Sequence, residues 1–201
     1  MTHDEAFLQA ILESPDDDTP RLIYADWLDE HGDSARAELI RVQCQLAEMG
    51  LDDPRWPGLL IREEQLVAEH ADEWLGDLRQ RVVGWRFDRG FLTRIVVPLP
   101  DYLRQPRMKP PPTVRQVVVD LKDVVIAAEA IRQVPEPIAC IYIILPLWMS
   151  IDGRLTLAMS DPSDRDMVDH LASLLRCGIE AVMADPDQIR DAIVSHYVPN
   201  P

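Results

Sequence analysis

Apolar positions recur at helical spacing up to about residue 80 and at strand spacing soon after. Ala6-Phe7-Leu8-Gln9-Ala10-Ile11-Leu12 reads as a first helix, opened by a capping box from Thr2 to Glu5. Ser14-Pro15 stops it, because the residue before proline avoids the α region. Asp16-Asp17-Asp18-Thr19 is a turn, and a second helix runs from Arg21 to His31 and ends at Gly32. Asp33-Ser34 starts a third, in which Leu39, Ile40, Val42, Cys44, Leu46 and Ala47 share one broad face up to Gly50. A fourth helical stretch covers Leu59 to Trp74.

The period then shortens. Val82 to Phe87 and Phe91 to Val97 read as two strands, with Asp88-Arg89-Gly90 as their hairpin turn. Pro98 to Pro112 is rich in proline, carries Arg104, Arg107 and Lys109, and reads as a semi-rigid linker. Beyond it, Val117 to Leu121 reads as a strand and Val124 to Val134 as a helix. Ile138 to Ile151 and Arg154 to Ser160 flank Asp152-Gly153 as a second hairpin.

One phrase occurs twice near the C-terminus. Ala158-Met159-Ser160-Asp161-Pro162 is followed 24 residues later by Val182-Met183-Ala184-Asp185-Pro186. Each copy closes an apolar run and opens a helical one, Asp164 to Arg176 and Pro186 to Tyr197. Asp-Pro cannot continue a ladder, but proline tolerates a first helical turn and Asp accepts its orphan N–H groups. Asp185 and Gln188 have capping-box spacing. The expected topology is parallel pairing of Arg154–Ser160 with Ile179–Ala184 through a right-handed helical crossover, with Ile141–Ile151 antiparallel beside the first.

The segment from Leu121 to Tyr197 resembles the N-terminal domain of the assembly ATPases of type II secretion and type IV pili. The residues that carry the likeness are Ile131-Arg132-Gln133-Val134-Pro135-Glu136, Ile144-Leu145-Pro146-Leu147, the run from Gly153 to Asp164, and Ile189 to Tyr197. Some of these ATPases bind cyclic di-GMP through a helical motif N-terminal to the part matched here. That motif is not found in this chain, so nucleotide binding does not carry over. No G-x-x-x-x-G-K-[ST] loop is present to cradle phosphates. Residues 1–97 are similar to the bacterial repeat-companion domain, through the run from Asp17 to Asp33, Arg36 to Gln43, and Trp85 to Leu92. That module often precedes leucine-rich repeats, but no L-x-x-L-x-L-x-x-N pattern follows here. Neither resemblance implies chemistry.

A net charge of −15 over 201 residues disfavours nucleic acid and anionic membranes as partners, and favours a basic one. No apolar run approaches the ~20 residues of a membrane span. The acidic start, Met1-Thr2-His3-Asp4-Glu5, is unlike a signal peptide. Cys44, Cys140 and Cys177 are widely scattered, which suits reduced thiols in a cytoplasmic protein.

The candidate sites divide accordingly. Asp16-Asp17-Asp18 lacks the alternating spacing of a calcium loop and reads as capping and solvated charge. Asp26 lies within an apolar helix, so burial and an ion pair with Arg36 or Arg41 are expected; a general-base role would need a second group that is not evident. His3, His31, His70, His170 and His196 show no metal-ligand spacing. Trp27, Trp85 and Trp148 are expected in cores. Trp56, in the loop Pro54-Arg55-Trp56-Pro57-Gly58, either packs down or serves as an exposed anchor.

The expected fold is α+β: an N-terminal helical domain with a β-hairpin over 1–97, a linker over 98–112, and a small α/β domain with a mixed sheet over 113–201. The expected function is a non-enzymatic adaptor for protein–protein interaction, with no catalytic residues, cofactor or metal. Its partner would be a protein with a basic surface, in secretion or pilus-type machinery or another multidomain protein; nucleic-acid binding and membrane insertion are not expected. Trp56, Asp161, Asp164, Asp185 and Asp187 are the candidate partner-binding residues. The alternative is a nucleotide sensor of the cyclic di-GMP type with a lost or altered binding motif. The aspartates at both repeated helix starts would repel its phosphates.

Overall fold

The computed structural model describes residues 3–50, 52–104 and 109–197. It divides into two compact units, residues 1–80, 85–94 and 110–115, and residues 81–84, 95–109 and 116–201.

The first unit is built on four helices: α1 (His3–Glu13), α2 (Thr19–Glu30), α3 (Ser34–Glu48) and α4 (Trp56–Leu75). The Thr2 half of the expected capping box lies outside the described residues. Asp17 closes the turn before α2, its Oδ1 accepting the Thr19 N–H at 2.9 Å. Asp33 caps α3 by accepting the Arg36 N–H at 3.1 Å. α4 starts three residues before its apolar pattern, so Trp56 is helical and not in a loop; Pro57 is pre-organised for that first turn. Ile11, Ala25, Leu28, Ala37, Ile40 and Cys44 bury a shared core with Phe91.

Strands β1 (Gly84–Asp88) and β2 (Phe91–Pro98) follow. Their turn places Arg89 at φ +47° and Gly90 at φ +81°, the signs of a type I′ hairpin turn. Gly90 is required twice over, because a Cβ there would also fall 2.1 Å from Ile40 Cγ1.

The second unit carries a short helix α5 (Leu99–Arg104), β3 (Gln116–Asp120), α6 (Ala128–Gln133), α7 (Glu136–Tyr142), β4 (Leu145–Met149), β5 (Arg154–Met159), α8 (Arg165–Leu175), β6 (Gly178–Ala184) and α9 (Pro186–Tyr197). The fold is mixed α/β, with an N-terminal helical region and a six-stranded mixed sheet in the order β1-β2-β3-β6-β5-β4. β6 pairs in parallel with both β5 and β3, while β4 runs antiparallel to β5. Val119, Leu145, Leu155, Leu157, Leu171 and Ile189 are fully buried in the core of this unit.

Three expectations change. Ile138 to Tyr142 lies in the helix α7 and is not the start of a strand, because Pro137 presets the first helical turn after Pro135, which is extended at ψ 140°. Ile143, left-handed at φ +52°, ends α7 and turns the chain into β4. Val124 to Ala127 stays outside α6, after Asp123 adopts φ +55°. Trp148 is 49% exposed on β4, an edge strand whose register shifts between Pro146 and Trp148, so it does not fill the core. Trp27 and Trp85 are half-buried.

Candidate functional site

Parallel pairing brings the carboxyl ends of β3, β6 and β5 to one edge. The register sets Val119 beside Ala184 and Met159 beside Met183. The acidic residues at those ends are therefore neighbours: Asp120 as the last residue of β3, Asp161 and Asp164 after β5, and Asp185 and Asp187 after β6. Open α/β sheets commonly place ligands at such an edge.

Each carboxylate has a local task. Asp161 Oδ1 accepts the Ser163 N–H at 3.0 Å and the Ser163 hydroxyl at 2.5 Å. The hydroxyl bond, followed by the N–H bond, holds its carboxyl below the usual range. Asp164 is the residue before α8 and accepts the Met167 N–H at 3.0 Å. The first Asp-Pro thus spends a turn before its helix begins, whereas α9 begins at Pro186 itself. Asp185 Oδ1 accepts the Asp187 N–H at 2.9 Å and the Gln188 N–H at 3.4 Å. Asp187 pairs with Arg190 at 2.6 Å on the exposed face of α9.

Gln188 does not complete a capping box. Its Oε1 accepts the Leu121 N–H, and its Nε2 donates to Asp120 Oδ1, both at 2.9 Å. It thus ties the start of α9 to the end of β3. Sequence reasoning missed Asp120 and this use of Gln188; the only signal was an aspartate near the end of the predicted strand at 117–121. Beside these residues, a cavity of about 370 Å³ is lined by Lys122, Asp123, Gln188, Asp191, Ser195 and His196. The edge carries Lys122 and Arg165 as well, yet carboxylates outnumber cations.

Trp56 belongs to the first unit. It is half-buried and lines an open groove of about 640 Å³ with Trp85, Leu60, Glu63 and Glu64. Asp26 is 74% exposed at its side chain, not buried, because it lies on the outer face of α2. Its Oδ1 accepts from Arg41 at 2.7 Å, and Arg41 reaches Asp29 at 2.6 Å. Arg36 takes no part in this pairing; its guanidinium lies over Trp74, 5.1 Å from the ring centre. No group of three His, Cys, Asp or Glu side chains that could hold a metal occurs among the described residues. No helix among them is long and apolar enough to cross a membrane.

Residues 114–200 match the family model of the MshEN domain. The MshEN match therefore takes in β3 through α9, and with them every carboxylate of the strand-end edge. No curated protein matches the chain. Among solved structures, the chain is similar to one described as the structure of MshE with cdg, at 20% identity over 86% of this chain and 97% of that chain, with a TM-score of 0.37.

Proposed function

We propose that this chain is a non-enzymatic adaptor whose MshEN-matching segment docks the basic surface of a protein partner. The observation that carries this reading is the occupancy of the strand-end edge. At a phosphate site, the free N–H groups of a helix start must face the ligand. Here the Met167 and Gln188 N–H groups already go to Asp164 and Asp185. A phosphate would have to displace them against like charge, whereas a lysine- or arginine-rich segment meets exposed carboxylates. The net charge of −15 acts in the same direction at longer range. The repeat-companion-like N-terminal unit would then be a second interaction module, and the three free thiols fit a cytoplasmic setting.

A second reading is a sensor for cyclic di-GMP. It draws on the MshEN match, together with the resemblance of this segment to assembly ATPases, some of which bind that nucleotide. Calorimetry on the full chain separates the two. The adaptor reading expects no heat from cyclic di-GMP or ATP at ~100 μM, where interactions of about −5 kcal/mol or stronger would register. It expects salt-sensitive binding of an arginine-rich helical peptide, weakened at least tenfold by the pair Asp161→Lys and Asp187→Lys. Micromolar binding of cyclic di-GMP would promote the sensor instead.

A further inference from the structure

A guanidinium without an anion marks a second site, in the first unit. Arg36 projects from the first turn of α3 into a box of aromatic rings, over Trp74 at 5.1 Å, Phe87 at 5.3 Å and Phe91 at 5.8 Å. Ring faces stabilise its charge but leave its N–H donors unanswered. Among the described residues, no carboxylate lies within ion-pair distance of it. Its backbone N–H goes to Asp33 Oδ1 at 3.1 Å. Burial lowers its pKa to about 10, while the residue as a whole stays half-buried and open to the cavity beside it.

Arg36 also lines a cavity of about 300 Å³ whose other walls include Leu8, Trp74, Leu75, Leu78 and Leu92. That size falls at the small end of ligand pockets, and a mostly apolar wall with one convergent cation is their usual composition. Two polar groups in the wall are already engaged. The Tyr24 hydroxyl donates to Asp4 at 3.1 Å, and Asp33 caps α3. The charged donors free for a ligand are therefore those of Arg36, with the buried Thr113 hydroxyl as a neutral polar group in the same wall.

We propose that this cavity binds a carboxylate carried on a small apolar body, with Arg36 engaging the carboxylate and the leucine and Trp74 walls taking the body. Arginine matches a carboxylate with two parallel N–H bonds, which sets it apart from a neutral isostere. The carboxylate could come from a free metabolite or from a protein C-terminus ending in an apolar residue. Both present the same chemistry.

NMR on the full chain, reading the Arg36 Nε–H and the Trp74 indole signals, tests this. The probes are phenylacetate against phenylacetamide, and a pentapeptide ending in Leu as free acid against its C-terminal amide. Saturable shifts are expected with the acids, and at least tenfold weaker binding with the amides. The tighter of the two acids names the source. Arg36→Met should abolish the acid–amide difference. Leu78→Trp fills the cavity while leaving the guanidinium, and should abolish binding even if Arg36→Met folds poorly. Absence of saturable shifts at ~10 mM, well above a millimolar dissociation constant, would overturn the proposal. So would equal binding of acid and amide, or unchanged binding in the Leu78→Trp variant.

Discussion

The side-chain oxygen of Gln43 lies 2.6 Å from the Gly90 nitrogen and accepts its N–H. The same amide donates to the Phe87 carbonyl at 3.1 Å and to Glu63 at 2.5 Å. One buried glutamine on α3 thus holds both sides of the β1–β2 turn. Gln43→Leu strands a buried N–H and a carbonyl, and is expected to destabilise the protein by about 2–4 kcal/mol. Gly90→Ala should cost at least as much, because its Cβ would meet the Ile40 Cα at 2.9 Å while φ is +81°. Urea denaturation reads both; a loss below ~0.5 kcal/mol for Gln43→Leu would mean that water replaces the lost bonds.

Asp18 carries two arginines. Its Oδ1 lies 3.3 Å from Arg89 Nε and 3.5 Å from Arg21 Nη1, with the Asp18 side chain 12% exposed. Arg21 is 4% exposed and is further held by the Asp17 and Pro15 carbonyls at 2.7 and 2.9 Å. Removing a carboxylate from such a cluster leaves buried positive charge. Asp18→Ala should cost about 3–5 kcal/mol, and adding Arg21→Met should recover part of it. Thermal melts that show no change for Asp18→Ala would place the cluster in solvent-like surroundings.

Local chemistry was legible where the sequence held the decisive residue. Asp152-Gly153 and Asp88-Arg89-Gly90 announce their turns, and the two Asp-Pro phrases mark where β5 and β6 end. The edge formed by Asp161, Asp164, Asp185 and Asp187 follows from that reading. Ile138 to Tyr142 did not, because a short apolar run fits a strand or a buried helix equally and only the flanking prolines decide. Side-chain destinations were less legible still. Gln188 has capping-box spacing but reaches a strand 68 residues away, and nothing local records that. Asp26 sits among apolar residues on α2, yet Ala25 and Leu28 face the core while Leu22 and Ile23 are exposed. Arg36 and Arg41 look alike in sequence, and only packing separates the paired one from the one among aromatic rings.

Asp26→Ala is therefore expected to be mild. Asp26 is mostly exposed, and Arg41 keeps Asp29 when Asp26 is gone. The expected loss is below about 1 kcal/mol, shrinking further with added salt. A loss above ~2 kcal/mol in denaturant titrations would show that Asp26 supports something other than this surface pair.

The three thiols should react in a fixed order with a thiol-specific disulfide reagent at pH 8. Cys140 is exposed, Cys177 half-buried and Cys44 buried. Burial foremost, with the Asp18 carboxylate second, pushes the Cys44 thiol from about 9 to about 12. Little thiolate forms there while the protein is folded. Cys140 should label first and Cys44 only on unfolding. The linkage has a definite sign: a raised folded-state value adds stability that is complete below pH 9 and drains away as pH rises toward 12. Labelling of Cys44 as fast as Cys140 in native buffer would refute its burial.

The proposed boundary at 98–112 would make the MshEN-matching segment a folding unit. Among the described residues, Leu99 is the one buried member of its core outside 113–201; Val119 through Ile193 all lie within that span. The parallel pairs β3–β6 and β5–β6 and the antiparallel β4–β5 also close inside the same span. A fragment of residues 113–201 loses Leu99 and the partly buried Tyr102, but keeps every other member of the cluster. Burial lost with one leucine corresponds to about 2–3 kcal/mol, a large share of a small domain's stability but not all of it. The fragment should therefore fold alone and melt cooperatively, at a lower temperature than the same segment in the full chain. Extending it to residue 95 should restore most of the difference, because Leu99 then returns to its place. A fragment that shows no cooperative transition in calorimetry, even when extended, would place the true boundary elsewhere and would show that Ile95 to Lys109 cannot stabilise this core without the first unit.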